Sequence, residues 1–288
     1  MNMCKDTFFH KKTTLKFRTE IFKINSPIVM GILNITPDSF YDGGKYKNES
    51  DIICHVENML SDGATIIDVG AVSTRPNAVK ITKEEEINRI KPVMLILSKK
   101  FPNAWFSVDT YRSEIAKMAV EEFGFGMVND ISAGNFDKKM FSEIAKLNIP
   151  YIIMHIQGTP INMQTNPTYN NVTQDIIFYF SKIINTLKQI GVNDILIDPG
   201  FGFGKTIENN YTLLKELKAF EILELPIVVG ISRKSMIYKL LKTTPEYALN
   251  GTISANTLAL LNGADILRVH DVKETVEAIK IFNMYLQS

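Results

Sequence analysis

The sequence lacks the features that mark secreted, zinc-binding and membrane-spanning proteins. It has only two cysteines, Cys4 and Cys54, so neither a disulfide framework nor a cysteine-based zinc site can be assembled. Its longest apolar runs, such as IVMGIL near residue 30, are far shorter than the roughly 18 residues that cross a bilayer. We therefore expect a cytoplasmic protein with no membrane partner.

A strong charge of either sign is also lacking. The chain of 288 residues holds 32 Lys and Arg against 31 Asp and Glu, which gives a formal net charge of +1. Nucleic-acid binding draws on an excess of positive charge that attracts the phosphate backbone. The balance of charges therefore argues against a nucleic-acid partner.

Residues 1–26 are predicted to form a short charged N-terminal extension. They are rich in lysine and lack the apolar core of a secretory signal, and the stretch LKFRTEIFKI predicts a short strand. No linker rich in proline, glycine or serine divides the remainder of the chain. We therefore predict a single domain over residues 27–288.

From residue 27 onward, short β-branched runs alternate with longer segments of helical apolar spacing, which is typical of βα units on a parallel sheet. The predicted strands are residues 28–33, 65–69, 105–108, 127–130, 151–156, 194–198, 227–231 and 266–270. Eight units in one domain, with no GxGxxG motif after the first strand, favour closure over an open doubly wound sheet. The predicted fold is an α/β protein, a (β/α)₈ TIM barrel.

Polar side chains stand at the end of every predicted strand, where barrel enzymes place their chemistry. They include Asn34, Asp68, Asp109, Asn129, His155, Asp198, Lys234 and Arg268. One such residue would more simply be a helix cap or a satisfied buried group, but eight on one rim indicate a ligand site.

The polar residues of the rim divide into two chemical sets. One set offers carboxylates, an amide and an ammonium, which suit a flat heterocycle with amino and carbonyl edges: Asp109, Asn129, Asp198 and Lys234. The other offers cations and a neutral oxygen ligand, which suit a phosphate group with a divalent metal: Asn34, Arg75, Arg268 and His270. Two sets predict a substrate with two parts.

Short motifs accompany the predicted strands. The first strand continues as MGILNITPDSFYDGG (30–44), and STRP (73–76) follows the second. The others carry SVDT (107–110), VNDISAG (128–134), IMHIQGTP (153–160), DPGFGFGKT (198–206), GISRKS (230–235) and LNGADILRVHDV (261–272). In this order the motifs resemble those of the dihydropteroate synthase family, and the resemblance runs from about residue 28 to the last helix.

The resemblance implies a transferase of folate synthesis and a target of sulfonamides. The family joins 6-hydroxymethyl-7,8-dihydropterin diphosphate to 4-aminobenzoate, giving 7,8-dihydropteroate and pyrophosphate. The resemblance further implies Mg²⁺ as the cofactor, bound by Asn34, and a homodimer formed through the last helices.

The resemblance also assigns roles to residues of this chain. The pterin contacts are Asp109, Asn129, Asp198, Lys234 and Arg268. The diphosphate contacts are Asn34, Thr74, Arg75, Arg268 and His270. The 4-aminobenzoate contacts are Phe40, Thr74, Pro76, Phe203 and Ser235, on loops that also carry Asp38 and Asp42. The residues expected to carry catalysis are Asn34, Arg75, Lys234, Arg268 and His270.

One departure from the family pattern leaves two other functions open. Val72 replaces the acidic residue that usually precedes the Ser-Thr-Arg-Pro core, which puts the anchoring of the second loop in doubt. A non-catalytic pterin-binding subunit is therefore one alternative. A pterin-binding methyltransferase domain of the corrinoid-linked type is the other, although Arg75, Arg268 and His270 would then have no anion to bind.

Two further sites are rejected. The segment GFGKT resembles the end of a P-loop, but the required glycine five residues before Gly204 is replaced by Pro199. Only His155 and His270 lie near the rim, and two histidines without a third ligand make a poor zinc site. We expect a structural or substrate-facing role for His155.

Overall fold

All eight predicted strands are present in the computed structural model, which describes residues 11–18, 20–35, 49–73 and 81–288. Two short strands, β1 (Thr14–Phe17) and β2 (Glu20–Lys23), come first. The others are β3 (Ile28–Asn34), β4 (Ile66–Gly70), β5 (Phe106–Asp109), β6 (Met127–Asp130), β7 (Tyr151–Met154), β8 (Ile195–Asp198), β9 (Val228–Val229) and β10 (Ile266–Val269). They pair in parallel in the order β8-β7-β6-β5-β4-β3-β10-β9, and a bridge between Ile197 and Ile227 joins the two edges. The predicted barrel is confirmed.

Helices surround the strands and bury their apolar faces against them. They are α1 (Glu49–Ser61), α2 (Lys83–Lys100), α3 (Ser113–Phe123), α4 (Met140–Leu147), α5 (Val172–Gln189), α6 (Ile207–Lys215), α7 (Ser235–Tyr238), α8 (Leu249–Leu261) and α9 (Val272–Gln287), with 3₁₀ helices at Leu217–Leu223 and Pro245–Tyr247. Side chains of Thr82, Asn171 and Thr206 cap α2, α5 and α6 by accepting backbone N–H groups. In the part of the chain that is described, no helix is long and apolar enough to cross a membrane.

The barrel interior changes from apolar to polar along the strands. Because side chains of a strand alternate between its two faces, every second residue points inward. The lower inward layer is a buried apolar cluster of Met30, Ile66, Met127, Ile152, Leu196, Val228 and Ile266. Two residues further on, five strands place polar residues at the inward position: Asp68, Ser107, Asn129, Asp198 and Arg268. We call these five residues the polar layer.

The N-terminal segment closes the end of the barrel away from the polar layer. The sequence predicts one short strand here, and the structure shows an antiparallel pair, β1 with β2. Leu15 joins the lower apolar cluster, and the Phe17 ring stacks on Trp105 with centroids 4.2 Å apart. Arg18 donates to the carbonyls of Gly124 and Pro102, both at 2.7 Å. The division of the chain at residues 26 and 27 stays a prediction.

Candidate active site

Arg268 is the centre of a charged network in the barrel interior. Its Nε donates to Asp68 Oδ2 at 2.6 Å, and its Nη2 donates to Asp109 Oδ2 at 2.7 Å. Asp68 Oδ2 also accepts from Asn129 Nδ2 at 2.9 Å. Strands β4, β5, β6 and β10 thereby bring together side chains that lie up to 200 positions apart in the chain.

Asp198 and Lys234 form the other side of the same interior space. Asp198 is 5% exposed, and its Oδ1 accepts from the backbone N–H of Gly200 at 2.7 Å. Gly230 lies between Asp198 and Arg268, since a Cβ atom placed there would be 3.8 Å from Asp198 Oδ2 and from Arg268 Cβ. Because glycine has no side chain to fill this space, a slot remains between the Asp198 carboxylate and the side chain of Arg268.

Burial shifts the titration of these groups toward their neutral forms. It raises the pKa of Asp109 to about 7, against the opposing charge of Arg268. It also raises the pKa of Asp198 above its ordinary value, and Lys234 opposes that shift. Burial lowers the pKa of Lys234 to about 8, although Asp198 favours the charged amine. Perturbed acids and a perturbed amine that lie close enough to influence one another are typical of a functional site.

Lys234 and Phe203 lie together at the rim. The Lys234 Nζ donates to the Phe201 carbonyl at 2.6 Å and lies 4.5 Å from the centre of the Phe203 ring. Phe203 packs against a small apolar cluster that includes Met154 and Met163, and Ser235 begins α7 directly after Lys234. The loop after β8 and the start of α7 therefore meet at this part of the rim.

The remaining predicted residues fall into two groups. Asn34 ends β3 and is half-buried, and His270 follows β10 with its Nδ1 3.1 Å from Ser232 Oγ. Phe40, Thr74, Arg75 and Pro76 lie outside the described residues, as do Asp38 and Asp42. The structure thus brings together every predicted pterin contact, and the roles of all these residues stay predictions.

Two residues of the site have no role in the sequence-based assignment. Asp68 stands among the strand-end residues of the sequence, but its bonds to Asn129 and Arg268 depend on the barrel register. Its Oδ1 is buried and has no hydrogen-bond partner among the described residues. Such an orphaned oxygen, among buried polar side chains, is available to a donor on a ligand or a water molecule.

Lys205 is the second such residue. It is buried, and its Nζ lies 2.8 Å from the Gly200 carbonyl, 3.0 Å from the Phe203 carbonyl and 3.1 Å from His155 Nδ1. Burial lowers the pKa of Lys205 well below its ordinary value and that of His155 to about 2. The lysine of GFGKT therefore holds its own loop together, which agrees with the rejection of a P-loop.

The residues near the rim fit a divalent metal ion that takes most of its ligands from a bound phosphate group and water. Among the described residues, no group of three or more His, Cys, Asp and Glu side chains could hold a metal ion. Asn34 ends β3 at the rim, and its side-chain carbonyl oxygen is a ligand type that Mg²⁺ accepts. Mg²⁺ favours oxygen ligands and is often held by one or two protein groups together with phosphates and water.

Comparison with known proteins identifies relatives over almost the whole chain. The family model described as pterin binding enzyme matches residues 30–270. The dihydropteroate synthase of Escherichia coli strain K12 is 42% identical over 267 residues, which cover 92% of this chain and 94% of that protein. The dihydropteroate synthase of Haemophilus influenzae is 39% identical over 261 residues, which cover 90% of this chain and 94% of that protein.

Solved structures agree with this result. The Yersinia pestis dihydropteroate synthase in a sulfonamide drug complex superposes with a TM-score of 0.91 at 40% identity, over 96% of this chain and all of that one. The Xanthomonas albilineans dihydropteroate synthase with 4-aminobenzoic acid gives a TM-score of 0.87 at 34% identity, over 96% and 99% of the two chains. These matches favour the synthase interpretation over the methyltransferase alternative.

Proposed function

The chain belongs to the dihydropteroate synthase family of pterin-binding enzymes, and from this membership we infer how its side chains share the work of the reaction. It is a transferase that condenses 6-hydroxymethyl-7,8-dihydropterin diphosphate with 4-aminobenzoate to 7,8-dihydropteroate and pyrophosphate. The observation that carries the assignment of roles is the polar layer, a buried set of donors and acceptors above an apolar barrel floor.

We propose that five residues bind the pterin: Asp109, Asn129, Asp198, Lys234 and Arg268. The amino-pyrimidine edge of a pterin presents N–H donors, and Asp198 is a buried acceptor with one oxygen free of protein bonds in the described structure. Asn129 and Asp109 supply further polar contacts, and Lys234 donates to a pterin acceptor. The pterin ring enters the slot that Gly230 leaves open and stacks against the Arg268 side chain.

We propose that the diphosphate lies on the rim, near the ends of β3 and β10. Asn34, Thr74, Arg75, Arg268 and His270 are the residues assigned to it. Mg²⁺ held by Asn34 and the diphosphate oxygens would supply positive charge to the leaving group. The His270 ring is oriented by Ser232, whose Oγ lies 3.1 Å from His270 Nδ1 and also accepts from the His270 backbone N–H at 3.3 Å.

The step that most needs catalysis is the departure of the diphosphate leaving group. An aromatic amine is a neutral nucleophile at pH 7, so no strong base has to remove a proton before it attacks. Cleavage of the C–O bond instead leaves negative charge on the diphosphate, which Arg75, Arg268 and His270 stabilise. We propose a dissociative step, because the dihydropterin ring delocalises the positive charge on its exocyclic CH₂ group.

The 4-aminobenzoate is proposed to bind beside the pterin at the rim. Phe40, Thr74, Pro76, Phe203 and Ser235 are assigned to this pocket. Phe203 and Ser235 are close to Lys234, and this closeness supports a second-substrate pocket beside the proposed pterin-binding residues. Holding two reactants in contact can supply roughly 7–11 kcal/mol of barrier reduction, so orientation accounts for much of the expected catalysis.

Pyrophosphate release tests this function directly. We expect release when the protein is mixed with the pterin diphosphate, Mg²⁺ and 4-aminobenzoate, and little when 4-aminobenzoate is omitted or the metal is chelated with EDTA. Both substrates and the leaving-group cation are required by the proposed chemistry. Folded protein that binds the pterin diphosphate but releases no pyrophosphate would contradict the proposal and support the non-catalytic alternative, with the segment around Val72 the first place to examine.

We propose that two copies of the chain associate through α8 and α9. A surface groove of about 830 Å³ lies between these helices, lined by residues that include Ile253, Ile281 and Tyr285. Ile281 is 73% exposed and Tyr285 66% exposed, and Met284 and Leu258 are exposed as well. A contiguous apolar surface of this kind is typical of an interface, and the family resemblance implies a homodimer here.

An Ile281→Glu substitution is expected to make the protein monomeric. A charge placed in an apolar interface is costly unless it finds a partner. Light scattering after size exclusion should give half the wild-type mass. The matched control is Phe178→Glu, because Phe178 is similarly exposed, at 62%, but lies on α5. A wild type that is already monomeric at micromolar concentration would rule out the proposed dimer.

We also propose that the protein acts in the cytoplasm. Cys54 in α1 is an exposed free thiol. Free thiols persist in reducing compartments, whereas exposed cysteines of secreted proteins are commonly oxidised. The thiol therefore supports a reducing location.

A further inference from the structure

Lys205 is a buried lysine to which the proposed reaction gives no role. It is 3% exposed and lies in the loop after β8. Its Nζ donates to the carbonyls of Gly200 and Phe203, at 2.8 and 3.0 Å, and lies 3.1 Å from His155 Nδ1. A buried amine needs such partners, because burying a polar group without hydrogen bonds is unfavourable. Since His155 follows β7 and the two carbonyls follow β8, Lys205 joins the ends of two neighbouring strands.

The loop that Lys205 holds is rich in glycine. Gly200, Gly202 and Gly204 all have positive φ angles, of 75°, 80° and 62°. Glycine adopts this conformation at no steric cost, but it also has the widest choice of other conformations. The shape of the loop therefore depends on contacts from outside its own backbone, and the Lys205 amine supplies two of them.

Gly200 is the glycine that meets the pterin-binding residues. Its backbone N–H donates to Asp198 Oδ1 at 2.7 Å, and its carbonyl accepts from Lys205. A Cβ atom at position 200 would lie 1.9 Å from the His155 carbonyl oxygen, so no larger residue fits in this turn. Gly200 is thus held between the Asp198 carboxylate, the Lys205 amine and the end of β7.

The two oxygens of Asp198 consequently have different surroundings. Oδ1 is bound by the turn at Gly200, whereas Oδ2 lies 3.8 Å from the position of a Cβ atom at Gly230 and so borders the slot described above. A carboxylate can rotate about its last side-chain bond, and that torsion has only broad preferences of its own. The Gly200 N–H therefore decides which oxygen borders the slot.

We propose that Lys205 is a positioning residue for the pterin. By holding the Gly200 carbonyl, it keeps the Gly200 N–H on Asp198 Oδ1 and leaves Oδ2 directed at the amino-pyrimidine edge. Lys205 itself touches neither substrate, and its effect on binding passes through Asp198. The inference rests on the proposed role of Asp198 in binding the pterin.

A double-mutant cycle with Asp198→Asn tests whether Lys205 acts through Asp198. Lys205→Met keeps the length of the side chain and removes its N–H donors. We expect kcat/KM for the pterin diphosphate, measured at saturating 4-aminobenzoate, to fall by about tenfold. In the Asp198→Asn background the same substitution should change kcat/KM by less than about twofold, because the carboxylate that Lys205 positions is already lost. Saturation with 4-aminobenzoate keeps weaker binding of that substrate through Phe203 out of the result.

Two further variants complete the experiment. Lys205→Gln keeps an amide NH₂ group that can donate to one of the carbonyls, so its kcat/KM should lie between those of wild type and Lys205→Met. The cycle is run with Lys205→Gln if Lys205→Met does not fold. Tyr169→Phe is the matched control, because Tyr169 Oη donates to the Gly204 carbonyl of the same loop at 2.6 Å. Its loss should leave kcat/KM within about twofold of wild type.

Three results would overturn the inference. Equal losses from Lys205→Met in the wild-type and Asp198→Asn backgrounds would show a general defect of the loop. A folded Lys205→Met with wild-type kcat/KM would show that the turn at Gly200 does not need the lysine. An equal loss in Tyr169→Phe would show that any bond to this loop matters as much. If wild-type protein itself releases no pyrophosphate, the proposed function fails instead, so the two failures are distinguishable.

Discussion

Asp198→Asn is expected to lower kcat/KM for the pterin diphosphate by about 10²- to 10³-fold. Asp198 is buried at the end of β8, and one of its oxygens already accepts from Gly200. An amide of the same shape offers one acceptor and adds an N–H donor, which would face the N–H groups of the pterin edge. Calorimetry with the pterin diphosphate and a pyrophosphate-release assay measure the loss of binding and of turnover.

Asp194→Asn is the matched control for this change. Asp194 lies just before β8, at the other end of the same strand, and pairs with Lys12. Its loss should affect stability slightly and leave kcat/KM unchanged, because it is a full strand length from the polar layer. If folded Asp198→Asn bound the pterin diphosphate as tightly as the wild type does, this result would contradict the assigned role. Equal losses in both variants would indicate a general defect of β8.

Much of this fold can be predicted because the strands and helices of a barrel have different, recognisable patterns of apolar residues. Strands buried on both faces read as apolar runs, and the C-terminal end of each run carries the polar residues. The predicted strand at residues 127–130 has the observed bounds, whereas the predicted 227–231 shortens to β9, Val228–Val229. The run is apolar throughout, so the sequence offers no signal for where the ladder pairing stops.

The interior contacts could not be predicted in the same way. The bond between Arg268 and Asp68 joins residues from β10 and β4, and only the closed barrel with its strand register brings them together. Lys205 illustrates the same limit, since a lysine in a glycine-rich loop reads as a phosphate-binding group. Its burial among backbone carbonyls becomes visible only when the loop is folded.

Arg268→Gln is expected to lose both activity and stability, and the loss of stability should grow as the pH rises above 7. The variant leaves Asp68 and Asp109 buried without their cation, which costs about 3–5 kcal/mol of unfolding free energy. Activity should fall by about 10²-fold or more, because the same guanidinium is assigned to the pterin and the diphosphate. Urea unfolding at about pH 6 and about pH 8.5, with turnover at each pH, measures both effects.

The pH dependence follows from Asp109. Its pKa is about 7 in the folded protein, above the ordinary value of 3.8, so the folded state binds more protons and stability falls as pH rises between these values. Arg268 opposes this rise, so its removal moves the folded pKa above 7 and extends the fall in stability. Between pH 7 and that higher pKa, the variant should lose stability relative to wild type with each rise in pH, because its folded state keeps the Asp109 proton and the unfolded state does not.

Arg18→Gln separates this electrostatic effect from a general loss of arginine contacts. Arg18 donates to two backbone carbonyls, which do not titrate, so its stability difference from wild type should be the same at both pH values. A pH-independent loss in Arg268→Gln would show that Arg268 does not oppose the protonation of Asp109. A loss of stability that widens with pH would support the proposed effect of Arg268 on Asp109. Reduced turnover at about pH 6 would support the proposed catalytic role, because the stability penalty from Asp109 is smaller at about pH 6 than at about pH 8.5.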